Sequence, residues 1–387
     1  MDFELTEEQR SLIALTKDFC KREVDRKRMS VLLDEKEADK ATPWDIFEKA
    51  DPIGLRTLGA PEEYGGGDAD WLTLTIFGEA LATYGGPIGI TLINVSRSAK
   101  RIMTMSKELQ DELMPKLMSD VKFYMCGATT EADAGTDIMM QRDDAKVVSF
   151  AHRDGDEWVI NADKAWSTGA AIAKYITVSA RTDREKPLRE NLTSFLVPTD
   201  TPGFSVRENH LCYDELCGNG ATRYENVRVP LRYHLKRDGQ VIRASGSWLP
   251  RIGTYLGQTV EVFEKLKEYA KNRVQGGKPI IEHMNVGPRL AEIHLHIEAW
   301  RYLLYKSAWD FDQADKNGTD PTPIGVNHCH AFQKQVRLMV CNHIAEICGA
   351  IGASKEYIFD EYVRSVFGTV HAGFSQQLFH ARSVPFI

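Results

Sequence analysis

The hydrophobic period changes twice along this chain, and that double change limits the folds open to it. Up to about residue 120, apolar residues recur at three- and four-residue spacing, the mark of helices that bury one face. Six short runs rich in Val, Ile, Tyr, Phe and Thr follow, at 123–128, 145–152, 157–162, 175–180, 193–197 and 222–229. Asp154-Gly155, Thr201-Pro202-Gly203 and Gly218-Asn219-Gly220 punctuate them. Short strands with such turn signals predict an antiparallel β-sandwich or barrel. From Trp248 onward the helical period returns over 252–272, 286–311, 327–349 and 354–366. Long helices joined by short loops predict a four-helix bundle. The fold class expected is α+β, with an all-helical domain at 1–121, a β domain at 122–240 and a helical bundle at 241–387.

Local signals refine the helical ends. Thr6-Glu7-Glu8-Gln9 is a capping box that satisfies two orphan amides reciprocally, so a first helix starts there and runs to about Arg26, with Leu12, Leu15, Phe19 and Val24 on its apolar side. Trp44, Ile46, Phe47 and Ala50 predict a second helix ending near Asp51-Pro52. A strongly apolar helix over 71–84 breaks at Gly85-Gly86-Pro87, a buried helix over 88–104 carries one anomalous charge, Arg97, and an amphipathic helix covers 108–118.

Composition excludes several classes. The 387 residues are 43% hydrophobic and 27% charged with a net charge of −7, so the basic face that a nucleic-acid partner requires is missing. No run of wholly apolar residues reaches the roughly 18–20 needed to span a bilayer. The opening Met-Asp-Phe-Glu-Leu-Thr is acidic and lacks a signal-peptide core, which favours a cytoplasmic address. Seven cysteines are scattered, and Cys212 and Cys217 have no second pair to complete a zinc site, so reduced, mostly buried thiols are expected. His328-Cys329-His330 has metal-ligand residue types, but adjacent positions do not share a helix face, and no metal is expected.

Two stretches carry the candidate chemistry. Gly127-Ala128-Thr129-Thr130-Glu131-Ala132-Asp133-Ala134-Gly135-Thr136-Asp137 combines small residues, hydroxyls and glycines, a turn that brings backbone amides close to a polar ligand. Lys164-Ala165-Trp166-Ser167-Thr168-Gly169 sets an aromatic face beside a hydroxyl at a strand end.

In this helix–strand–helix order, these motifs resemble the acyl-CoA dehydrogenase flavoprotein family over nearly the whole chain. Leu5-Thr6-Glu7-Glu8-Gln9 and Pro61-Glu62-Glu63-Tyr64-Gly65-Gly66 match the family's N-terminal pattern, and Ala128-Thr129-Thr130-Glu131 with Ala134-Gly135-Thr136-Asp137 resembles its flavin loop. Lys164-Ala165-Trp166-Ser167-Thr168 resembles the strand whose Trp packs on the flavin and whose Thr bonds to it. Asn272-Arg273-Val274-Gln275 looks like the loop whose Arg binds the FAD pyrophosphate of a neighbouring subunit, and Gly349-Ala350-Ile351-Gly352 like the Gly-rich turn lying against another part of that FAD. The resemblance implies FAD as cofactor, held by Thr129, Thr130, Thr136, Trp166, Thr168, Arg273, Gln275, Gly349 and Ser375. It implies an acyl-CoA or enoyl-CoA substrate, electron-transfer flavoprotein as a redox partner, and a homotetramer or heterotetramer. A flavin asks for a dry aromatic slot with fixed donors, which Trp166, Thr130 and Thr168 supply, and its pyrophosphate for a planar cation, which Arg273 supplies.

The pattern breaks where the family keeps its base. A carboxylate must stand beside the substrate Cα to take the α-proton. In the C-terminal loop, Val370-His371-Ala372-Gly373-Phe374-Ser375, the base position falls on Ala372 or Gly373. At the alternative position, before Arg251, stands Pro250. Gly276 replaces the family's Phe, and Glu346 stands where a Gln meets a neighbour's cofactor. Arg97 and His371 are the candidates for altered chemistry. Arg97 would bind an acyl-chain carboxylate or sulfinate, or an enolate oxygen, or else form a structural ion pair. His371 would shuttle a proton, or else be a surface histidine. Arg97 and Arg251 are also the candidate substrate contacts. Three readings follow: an enzyme acting at the α,β carbons of a thioester with a relocated base or an altered reaction, such as enoyl reduction or elimination; a half-site subunit of a heteromeric dehydrogenase; or a flavin oxidase or monooxygenase on a non-CoA substrate.

Overall fold

A computed structural model of the protein describes residues 4–140, 142–213, 215–235, 245–371 and 375–386. The first third gives helices α1 (Glu7–Glu23), α2 (Arg26–Leu32), α3 (Ala38–Ala41), α4 (Trp44–Ala50), α5 (Trp71–Gly85), α6 (Ile88–Ile102) and α7 (Lys107–Ser119). The middle gives β1 (Met125–Ala128), the single turn α8 (Thr136–Met139), β2 (Phe150–Asp154), β3 (Glu157–Thr168), β4 (Tyr175–Arg181), the turn α9 (Leu188–Asn191), β5 (Leu192–Pro198), β6 (Phe204–Asn209), β7 (Asn219–Pro230) and β8 (His234–Leu235). The last third gives α10 (Trp248–Asn272), the hairpin of β9 (Val274–Gln275) and β10 (Lys278–Pro279), then α11 (Gly287–Asn317), α12 (Ile324–Cys348), α13 (Ile358–Thr369) and α14 (Gln376–Ser383).

These elements sort into two compact units, one from the described residues of 1–30, 70–93 and 245–387, the other from those of 31–69 and 94–244. In the first, one apolar core gathers Leu256, Phe263 and Leu266 of α10, Ile293, Ile297, Trp300 and Leu304 of α11, Val336, Val340 and Ile344 of α12 and Tyr362 and Val366 of α13. The stripe on α10 runs as its spacing predicts, save that Val260 is half-buried. The segment Ile324–Ala353 is long and apolar enough to cross a membrane by length and composition, and 50% of its most apolar window is buried in this unit.

α5 and α10 meet backbone to backbone. A Cβ on Gly257 would lie 2.2 Å from the Glu79 carbonyl oxygen, one on Gly253 2.5 Å from that of Thr75, and one on Gly78 2.4 Å from that of Pro250. Three glycines are therefore required at this crossing. The first helix is capped as expected, Thr6 Oγ1 accepting from the Gln9 amide and Gln9 Oε1 from the Thr6 amide, both at 3.1 Å. It stops at Glu23, short of the expected Arg26, and Leu15 is exposed.

The second unit is built on an eight-stranded sheet in the order β6-β7-β3-β2-β4-β5-β8, with β1 added beside β4. β1 runs parallel to β4, as does one bridge of β2, and the other pairs are antiparallel. Two details differ from the sequence reading. Residues 145–149 are not strand, because Glu131 accepts the Val148 and Ser149 amides that a neighbouring strand would otherwise take. β6 was not expected, since its side chains are mostly exposed and offer no apolar alternation. Of the described cysteines, Cys20, Cys126, Cys217, Cys329 and Cys348 are buried, Cys341 is half-buried and Cys212 exposed.

Candidate active site

β3 runs to Thr168, past the polar pair Asp163-Lys164, and a bulge falls near its end. Its pairing with β7 shifts between Lys164 and Ser167, so that Ala165 and Trp166 together oppose the single residue between Thr222 and Gly220. A bulge of this kind bends the strand and redirects a side chain. Lys164 and Ser167 point inward, and Trp166 keeps 54% of its surface exposed. A tryptophan so open in a well-packed sheet presents an uncovered aromatic face.

The loop at 128–137 lies directly beside this strand end. The Ala165 amide donates to the Thr130 carbonyl oxygen at 2.9 Å. Lys164 Nζ donates to Glu131 Oε1 at 2.7 Å and to the Thr129 carbonyl oxygen at 3.2 Å. The Lys164 and Glu131 side chains are 0% and 2% exposed. The carboxylate also accepts the Val148 and Ser149 amides at 2.7 and 3.3 Å. Burial pulls the Lys164 ammonium below its ordinary pKa, and the Glu131 charge opposes that shift. A buried ion pair persists only when each partner's remaining valences are filled, as they are here. Farther along the loop, Asp137 Oδ1 accepts from the Gly135 amide at 2.7 Å. A Cβ on Gly135 would meet only the Thr130 methyl, at 3.7 Å. Thr129, Thr130 and Thr168, half-buried, and Thr136, exposed, therefore stand on two segments locked to each other beside the open face of Trp166.

Two arginines one helical turn apart on α6 flank the strand feeding this loop. Arg97 donates to Asn94 Oδ1 at 2.7 Å, and Asn94 Nδ2 donates to the Met125 carbonyl oxygen at 3.1 Å. Arg101 donates to Thr177 Oγ1. A Cβ on Gly127 would sit 3.6 Å from Arg101 Nη1, and burial pulls that guanidinium's pKa down. Sequence reasoning singled out Arg97 and passed over Arg101; the i, i+4 repeat was the available signal.

The remaining predicted residues belong to the first unit. Arg273 follows α10, is exposed, and forms no hydrogen bond or ion pair through its side chain with the described residues. Gln275 is exposed in β9, and Gly276 and Gly277 make the hairpin turn with φ of 58° and 80°. That left-handed pair explains the loss of the expected Phe, since a two-residue turn of this hand selects glycine. Gly349 ends α12 with φ 56°, ψ −133°, a conformation open chiefly to glycine. Ser375 caps α14, its Oγ accepting from the Leu378 amide at 3.3 Å. Glu346 is paired, accepting from Arg289 Nη2 at 3.1 Å, so its charge is screened. Arg251 is buried, its Nε donating to Tyr255 Oη at 2.9 Å. His371 is exposed just beyond α13, and Ala372 and Gly373, on which the missing base would fall, lie outside the described residues.

Comparison with known proteins decides the family. Residues 6–120 match the acyl-CoA dehydrogenase N-terminal domain, 126–226 its middle domain and 250–372 its C-terminal domain. The chain belongs to the acyl-CoA dehydrogenase family. A probable acyl-CoA dehydrogenase of Bacillus subtilis is 27% identical over 94% of this chain and 93% of its own length. Among solved structures, the prolyl acyl carrier protein oxidase AnaB superposes with a TM-score of 0.85 at 20% identity, covering 99% of each chain. Butyryl-CoA dehydrogenase of Megasphaera elsdenii superposes with a TM-score of 0.84 at 23% identity, covering 100% of this chain and 99% of that one. As a family member this protein is an acyl-CoA dehydrogenase-type oxidoreductase of the CH–CH class. The seat on the middle domain suits the family's flavin by its donor set, an open indole face bordered by half-buried hydroxyls.

Proposed function

We propose that this protein is an FAD-dependent oxidoreductase acting at the α,β carbons of an acyl or enoyl thioester, with the base relocated or the reaction altered because no glutamate occupies the family position. The observation that carries the proposal is the locked pair of segments at Thr130 and Trp166, held by a buried lysine–glutamate bond. FAD supplies the hydride chemistry when bound. Trp166 covers one face of its ring, Thr130 and Thr168 orient it, and Thr129 and Thr136 bind beside it. Arg273, Gln275, Gly349 and Ser375 serve the FAD of a neighbouring copy, Ser375 through the backbone because its hydroxyl caps α14. Arg97 and Arg251 hold the substrate, and His371 moves a proton.

Assembly into a homotetramer or heterotetramer is part of the same proposal. It is supported by Leu295 and Tyr302 on α11 and Phe367 on α13, which are 65%, 55% and 61% exposed. A cytoplasmic address and electron-transfer flavoprotein as electron acceptor complete the reading. The likeness to a carrier-protein oxidase adds carrier-linked thioesters to the substrates worth testing.

The test is an absorbance titration of the purified protein with a panel of CoA and carrier-protein thioesters. The expected protein is yellow and bleaches with one of them, releasing an enoyl product, and Trp166→Ala lowers bound flavin without shifting the melting temperature of the flavin-free protein. A protein that takes up no added FAD overturns the proposal. Activity regained only with a glutamate-bearing paralogue marks a half-site subunit, and rapid oxygen consumption without a thioester marks an oxidase.

A further inference from the structure

The strand that feeds the flavin loop has one open position. Along β1, Met125, Cys126 and Ala128 are buried and Gly127 alone is exposed. A glycine inside a strand often marks the close approach of a ligand or another backbone, so the atoms that face it matter. The point that a Cβ on Gly127 would occupy lies 3.6 Å from Arg101 Nη1, 3.6 Å from Thr177 Oγ1 and 3.7 Å from Arg101 Nη2, its three nearest atoms outside the chain neighbours. The glycine therefore leaves a gap of methyl size whose walls are the Nη1–Nη2 edge of a guanidinium and a hydroxyl.

The cation at this gap meets no opposite charge. Arg101 Nη2 donates to Thr177 Oγ1, whose own proton goes to the Cys126 carbonyl oxygen at 3.4 Å. That is the one hydrogen bond the Arg101 side chain makes with the described residues, and no carboxylate among them pairs with it. Burial lowers its pKa, yet part of its surface stays open, as for a side chain that lines a recess. One turn earlier on α6, Arg97 is held through Asn94 to the Met125 carbonyl oxygen, and like charges at this spacing repel. The last turn of α6 eases the Arg101 charge through the helix dipole, but it offers no acceptor to the edge that faces Gly127.

We propose that the Nη1–Nη2 edge of Arg101, reached over Gly127, binds a carboxylate carried on the acyl chain of the substrate. Two parallel N–H groups of a guanidinium match the two oxygens of a carboxylate, and the Arg97 charge one turn away adds to the attraction. A planar group suits a gap of methyl size better than a tetrahedral phosphate does. Resting on the proposed function, this names its substrate class as the thioester of a dicarboxylic acid, with a free carboxylate as the other source of the same chemistry. Arg97, Arg101, Gly127 and Thr177 belong to the same compact unit as Thr130 and Trp166. Gly127 stands three residues before Thr130, at most about 10 Å along an extended chain, within reach of the far end of a short acyl group.

The test is titration calorimetry on the whole protein with the CoA thioester of glutaric acid and with the methyl ester of its free end. Wild type should bind the free acid at least about tenfold more tightly, one charge-assisted contact's worth. Arg101→Met should bind the two alike. So should Gly127→Ala, whose added methyl fills the gap but meets nothing closer than 3.6 Å, so that the ligand-free protein melts no lower than wild type. No preference in wild type, or one that survives in both variants, overturns the site, and Gly127→Ala decides alone if Arg101→Met does not fold. Thermal unfolding with free glutarate, against glutaramide and against chloride at equal ionic strength, separates the two sources. Stabilisation by glutarate with both thioesters bound alike overturns the substrate assignment and gives the recess to a free anion. Flavin uptake reports separately, so a colourless protein that still prefers the free acid keeps the site and loses the proposed function.

Discussion

Lys164 and Arg337 are both fully buried cations, one in each compact unit, and they are compensated in different ways. Lys164 meets a buried carboxylate whose two oxygens each accept a backbone amide as well, Oε2 from Val148 and Oε1 from Ser149. Arg337 meets the side-chain oxygens of Thr369 and Gln333, the Ser365 carbonyl, the Tyr362 side chain and the face of Tyr255, all uncharged. The first arrangement is complete within the chain and works as a fastener between loop and strand. The second spreads its charge over neutral dipoles and a ring face, with no opposite charge among the described residues paired to it. The contrast separates a buried charge matched by an opposite charge from one shared among neutral groups.

The largest effect should come from breaking the complete pair. Lys164→Met strands the Glu131 carboxylate in the core and should cost about 3–5 kcal/mol, read as a lower urea midpoint, with Glu131→Gln added to it recovering a large part of the loss. If Lys164→Met is as stable as wild type, the fastener is not one.

A pH series sharpens the other side of the comparison. Lys334 sits near 7 in the folded state and near about 10.4 when unfolded. Between those values the unfolded chain holds a proton that the folded one lacks, so this group makes stability rise with pH from 7 to about 10, by at most about 4 kcal/mol, with the full penalty present below 7. Glu261 slopes oppositely in a lower window: burial first, then the Glu361 charge, against the pull of Arg26, raise it to about 7. Its stabilising protonation is therefore lost as pH climbs from about 4.5 to 7. Lys334→Met should flatten the alkaline limb alone, and an unchanged limb would contradict the assignment. The smallest effect gauges both others: Thr6→Ala removes an exposed helix cap and should cost about 1 kcal/mol at every pH.

How far the sequence reveals all this depends on whether the cause is local. Caps, breaks and stripes are local, so α5, α10 and α11 fall close to where period and glycine place them. The end of β3 is not local. Asp163-Lys164 interrupts the apolar alternation, and the strand continues only because Glu131, far back in the chain, neutralises the lysine. Trp166 and Thr130 were legible through resemblance, whereas the bulge that exposes Trp166 was not. Gln333 and Arg337 were overlooked because α12 looks like an ordinary apolar stripe. Yet 326, 330, 333, 337, 340 and 344 follow its three–four spacing, and three of those six positions are polar. Polar residues on a buried stripe are the signal that was present and unused.

The glycine crossing of α5 on α10 bears on motion. Ordinary helix pairs slide because side chains between them change rotamer, and here carbonyl oxygens face bare Cα atoms with no such layer. Shifting either helix by one residue would drive a Cβ into a carbonyl. The two helices must therefore travel as one stiff beam, and any rearrangement that admits a substrate has to be absorbed by the segments at its ends.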